Sequence, residues 1–192
     1  MAGGSTGAAP AQVRGHAPAA SPARPIDRAS SEDLMSLAGD SGSVPMQVGG
    51  VVFLRTGEDW DPAHLLQAVA ARIPAVPRLR QRLHRLPVGL GRPVWQDDPH
   101  FSSDRHLNHA RCAGGRQGVL DLAADLLVMR LPSDRPLWTA RVVTGFAPGE
   151  AAVVLVLHHV LADGVAALAI LADLARPQAA AGAGGFPRPL PG

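Results

Sequence analysis

A chain of 192 residues, 46% of them hydrophobic and with a mean hydropathy of +0.08, has the size and balance of one globular domain with a real core. All 18 basic residues are arginine and the net charge is only +2, scattered along the chain without a nucleic-acid motif, so the sequence pI near 9.8 does not imply a nucleic-acid partner. A lone cysteine excludes an internal disulfide, no secretory signal opens the chain, and His158, His159, Asp163 and Asp173 interrupt the one stretch apolar enough to suggest a membrane span.

Residues 1–25, rich in Ala, Gly, Pro and Ser, predict a disordered leader; 26–177 predict a single domain; 178–192 predict a disordered tail. Within the domain, Ser30 followed by Asp33 resembles a capping arrangement for a short helix ending near Leu37. Residues 46–54 read as a strand, with Gly49-Gly50 marking a bulge or a close backbone approach. Asp61-Pro62 pairs an N-cap acid with proline at the first helical position; Leu65, Leu66, Val69 and Ile73 share the buried face, and Pro74 and Pro77 stop the helix. Residues 78–86 fit either a basic helix face or an extended segment, and 94–96 a short strand. Cys112 falls in a loop-like stretch without a motif and reads as a bystander thiol. Residues 117–130 predict a helix with Leu120, Ala123, Ala124, Leu127 and Leu131 on its buried face. Residues 137–146 and 151–159 predict an antiparallel hairpin around Pro148-Gly149, and 165–175 a helix burying Ala167, Ile170, Leu171 and Leu174. The alternation implies an α/β fold in two layers, a mixed sheet packed by helices.

The segment from His158 to Gly164 carries the chemistry. Two imidazoles, a carboxylate (Asp163) and a glycine follow directly on an apolar strand, which holds them at a rigid rim. Imidazole moves protons near neutral pH. Strand side chains alternate, so only one of His158 and His159 faces a given cleft. For that reason, and with no third donor at a useful spacing, no metal is expected.

This segment resembles the active-site motif of CoA-dependent acyltransferases, the superfamily of chloramphenicol acetyltransferase. With Pro136-Leu137-Trp138 upstream, and with Ser31-Glu32-Asp33, the run from Pro45 to Gly49, the run from Pro77 to Arg82 and Phe101, Asp104, His106 and His109 in order, the chain is similar to the N-terminal half of the bacterial wax ester synthase/diacylglycerol acyltransferase family. The resemblance covers about residues 29–175 and implies a chloramphenicol-acetyltransferase-like fold. It implies His159 as general base in direct transfer of a fatty acyl group from acyl-CoA, the substrate rather than a cofactor, to a long-chain alcohol or diacylglycerol. His158, Asp163 and Gly164 would shape the turn, and Pro136, Leu137 and Trp138 would line or brace the cleft; for Trp138, plain core packing weighs equally. The family's second domain is expected to be missing, so a second acyltransferase half or self-association would be needed. An inactive remnant or lipid-binding module, and a condensation-type fragment, stand as alternatives. A cytoplasmic protein with peripheral contact to membrane or lipid droplets completes the expectation.

Overall fold

A computed structural model describes residues 26–40, 42–57, 60–87, 89–162, 164–174 and 188–189. The expected leader, most of the expected tail, and Asp163 lie outside the described residues.

The main sheet is organised around Glu150–His158 (β6), buried at every position after the first. A strand this apolar on both faces needs a neighbour on each side and cover above and below. Trp138–Thr144 (β5) pairs with it antiparallel, as the expected hairpin, and Gln47–Arg55 (β1) pairs antiparallel on the other side. Leu107–Arg111 (β4) runs parallel to β5, and the two-residue strand Arg188–Pro189 (β7), which falls inside the expected tail, pairs with Leu54 and Arg55. The order is β4-β5-β6-β1-β7. A separate ribbon joins Gln81–His84 (β2) to Val94–Asp97 (β3).

Among the described residues, four α-helices cover the main sheet and its rim. Ser31–Gly39 (α1) opens with the expected capping box between Ser30 and Asp33. Asp61 caps Pro62–Arg72 (α2) by accepting from the Ala63 amide. Gly115–Val128 (α3) joins β4 to β5 as the crossover that a parallel pair requires, and Gly164–Leu174 (α4) follows β6.

The alternation of β6 divides the core. Val153, Leu155 and Leu157 pack with Leu65, Val69 and Ile73 near α2 and with Ala167, Leu171 and Leu174 of α4. Ala152, Val154 and Val156 pack with Val119, Ala123 and Leu126 of α3. The mixed α/β fold is the expected one, a mixed sheet packed by helices, and helices lie on both of its faces because both apolar faces of β6 demand cover.

Three local expectations change. Residues 77–80 form a 3-10 turn that leads into the extended β2, so neither single description of 78–86 holds. The buried stripe of α3 runs through Val119, Ala123 and Leu126, while Leu120 is 45% exposed. That helix is rich enough in Leu and Ala for two overlapping stripes to satisfy a 3.6-residue period, and the sheet selects one. No strand was expected at 107–111; β4 buries only Leu107 well, so its sequence shows no apolar alternation. At Gly49 the register with β6 is unbroken, so the glycine marks a close approach: a Cβ there would meet the Leu155 carbonyl oxygen at 2.9 Å.

Candidate active site

Both histidines sit where β6 ends. The His158 amide donates to the Leu137 carbonyl (2.9 Å), beside β5, and the His159 amide donates to the Met46 carbonyl (2.8 Å), beside β1. Consecutive amides thus bond to opposite neighbours, and the two rings leave the chain on opposite sides. The Leu161 amide then donates to the His158 carbonyl (2.9 Å), closing the turn that precedes α4.

His158 is 3% exposed and its ring is committed. Its Nδ1 accepts from the Val160 amide (3.0 Å), which leaves the ring proton on Nε2. Nε2 stands 3.4 Å from Asp40 Oδ2, too far for an aligned hydrogen bond, and meets no other acceptor among the described residues. Burial pushes the His158 pKa down, only partly opposed by the Asp40 carboxylate, so the ring is neutral at neutral pH.

Asp40 is the C-cap of α1. Its Oδ1 accepts from the Met46 amide (2.9 Å), and its Oδ2 accepts from Arg130 (2.6 Å), whose other nitrogen donates to the Gly42 carbonyl (2.9 Å). Partial burial works against ionisation of Asp40, but the Met46 amide, the His158 ring and Arg130 together hold its carboxyl below the ordinary value. Gln47, paired with His158 across the sheet, ties the same corner to α3. Its amide nitrogen donates to the carbonyls of Leu127 (2.8 Å) and Met129 (3.0 Å), and its oxygen accepts from the Leu131 amide (2.9 Å). The carbonyls that a helix end leaves open are satisfied by one side chain.

A cavity of about 210 Å³ opens beside this corner, with His158, Asp40, Gln47 and Leu137 on its wall and Arg82, Arg85, Arg130 and Arg135 around it. His159 is not on that wall. It is half-buried, and its ring makes no hydrogen bond to a described residue. A ring with free nitrogens on a pinned backbone can exchange a proton with a bound hydroxyl.

The remaining expected residues are distributed as follows. Leu137 reaches the cavity and supplies the carbonyl that holds His158. Pro136 is buried. Trp138 is 2% exposed, donates its indole N–H to the Leu79 carbonyl (2.6 Å) and stacks on His106 at 4.5 Å, within the core. Gly164 begins α4. No three His, Cys, Asp or Glu side chains among the described residues are grouped to hold a metal ion. Sequence reasoning missed Asp40, Arg130 and the clamp of Gln47. Asp40 and Arg130 meet from positions far apart in the chain, and the only local signal was an acid just past the last apolar residue of a helix.

The family model for the wax ester synthase/diacylglycerol acyltransferase catalytic domain matches residues 30–187. The chain belongs to that family. The probable diacylglycerol O-acyltransferase tgs1 of Mycobacterium tuberculosis is 36% identical over 133 residues, spanning 68% of this chain and 28% of the relative. For tgs3 of the same organism the figures are 33% over 150 residues, 76% of this chain and 55% of the relative. The chain therefore spans less than two thirds of either relative. Among solved structures, the wax ester synthase/diacylglycerol acyltransferase of Marinobacter aquaeolei VT8 superposes with a TM-score of 0.66 at 23% identity, over 77% of this chain and 36% of that one. The first condensation domain of the calcium-dependent antibiotic synthetase gives 0.64 at 19% identity, over 79% and 37%. At these identities the likeness is one of fold: the N-terminal portion of a chloramphenicol-acetyltransferase-like domain.

Proposed function

We propose that this domain supplies the proton-accepting side of an acyl-CoA-dependent O-acyltransferase site, with His159 as the general base. The observation that carries the reading is the inequivalence of the two rings. His158 is buried and committed on Nδ1, while His159 is half-exposed, without a ring partner among the described residues, on a backbone pinned to Met46.

In the proposed reaction the acceptor hydroxyl gives its proton to His159 as its oxygen attacks the thioester carbonyl. The tetrahedral intermediate collapses, the C–S bond breaks, and the imidazolium returns the proton to the departing sulfur. Ester and free CoA result, with no acyl-enzyme and no redox step. Asp163 and Gly164 would shape the turn after the bases, and Leu137, between Pro136 and Trp138, braces it through the His158 amide. A long-chain alcohol or diacylglycerol is the acceptor class that family membership favours. A second acyltransferase half, from another chain or through self-association, would form the opposing wall and exclude water. No described helix is long and apolar enough to cross a membrane, and contact with lipid would be peripheral.

The test follows free CoA released from palmitoyl-CoA, with hexadecanol or dipalmitoylglycerol as acceptor, by this protein alone and with a second acyltransferase half. We expect acceptor-dependent release that falls by a factor of about 10²–10⁴ in His159→Ala, the usual contribution of a general base. Release that survives the substitution, or that ignores the acceptor, rejects the mechanism. No release under either condition favours an inactive acyl-binding module.

A further inference from the structure

We propose that Asp40 is a positioning residue for His159, acting through both flanks of the paired-histidine turn. The inference deepens the acyl-transfer reading and rests on it only for its kinetic arm.

On one flank, Asp40 Oδ1 holds the Met46 amide, and the carbonyl of the same Met46 accepts the His159 amide. One residue therefore separates the carboxylate from the backbone of the base. On the other flank, Asp40 Oδ2 faces His158 Nε2 at 3.4 Å. A negative charge on that side favours the tautomer that carries its proton on Nε2, and this tautomer leaves Nδ1 bare for the Val160 amide. In the other tautomer an N–H on Nδ1 would face the N–H of Val160, and the turn would lose that bond. His159 lies between these two ties. Arg130, anchored also on the Gly42 and Asp40 carbonyls, keeps the carboxylate in place. The adjoining end of α1 and entry to β1, joined by the distant residues after α3, thus converge to fix the backbone that carries one imidazole. A site whose first contacts are held this way keeps its geometry without help from substrate.

The test uses the full chain and its Asp40→Ala and Asp40→Asn variants, the second preserving size and one acceptor should the first fail to fold. Amide hydrogen exchange by NMR is the primary readout. The His159 and Val160 amides are expected to exchange about tenfold faster or more in Asp40→Ala and less so in Asp40→Asn, with Val153 and Leu155 unchanged. Unchanged exchange at His159 and Val160 in both variants overturns the proposal. So does acceleration of the core amides in step, which would mark general destabilisation. In the kinetic arm, kcat is expected to fall about tenfold at nearly constant KM, and Asp40→Ala to add nothing to His159→Ala. A change in KM alone would also reject the assignment. Should transfer prove independent of His159, the catalytic reading falls, while the exchange measurement still decides whether Asp40 holds the turn.

Discussion

His106 shows how burial turns a titratable ring into a stability sensor. It is 1% exposed, lies between Phe101 and Trp138, and shares a 2.9 Å hydrogen bond with the Trp138 carbonyl. Burial depresses its pKa, the Trp138 carbonyl works against that, and Arg135 and Arg105 add to it. His158 is depressed for the same first reason. Both rings are neutral in the fold, so below about pH 6.5 the unfolded chain binds more protons than the native one. Stability is fully present above that pH and is lost as pH falls toward the depressed folded values. Urea midpoints measured from pH 7.5 down to pH 5 should decline, and the decline should be shallower in His106→Phe, whose ring can stack but cannot titrate. An equal slope in the variant would remove His106 from this account. At this scale the inequivalence of the paired histidines was legible, because alternation on a strand sets adjacent rings apart whatever surrounds them. Asp40 was not, because its partners are set by the meeting of distant segments, which no local pattern records.

Among the elements, β1 is tightly constrained by its neighbours. It lies between β6 and the short β7, with α3 above it, and Gly49 leaves no room for a side chain: besides the Leu155 carbonyl, a Cβ would meet Leu127 and Val156 side chains at 3.2 Å. The carbonyl belongs to the central strand and cannot retreat without breaking the ladder. Gly49→Ala should therefore destabilise the fold by about 1–3 kcal/mol, the cost of overpacking a filled interior. Gly57→Ala, where a Cβ would meet nothing within 4 Å, should stay within about 0.5 kcal/mol in the same denaturation experiment. Equal effects at the two positions would refute the steric argument. Strong punctuation made α1, α2 and the β5–β6 hairpin readable: a capping box, an Asp-Pro start and a Pro-Gly turn. β4 escaped because an edge strand with polar side chains carries no alternation, and the face of α3 was misplaced because its many Leu and Ala residues support more than one stripe.

For the molecule as a whole, the sheet mixes short-range and very long-range pairing. β5 and β6 are joined by a tight turn, whereas β1 meets β6 only across most of the domain, Gln47 opposite His158. Closing that loop costs chain entropy before any contact rewards it, so the pairing is expected late in folding. In pulsed hydrogen exchange during refolding, amides of Arg141 and Val154, which face each other across β5 and β6, should gain protection before those of Val52 and His159, which face β6 and β1 across the other seam. Simultaneous protection would contradict this order.

The bond from the His159 amide to the Met46 carbonyl belongs to that late seam. On the proposed role of His159, a nascent or partly melted chain can thus own a well-formed hairpin, with both imidazoles present, and still offer nothing able to draw a proton from an alcohol. In that reading competence arrives only with the last stitch, and damage at the beginning of the domain would silence the chemistry proposed near its end.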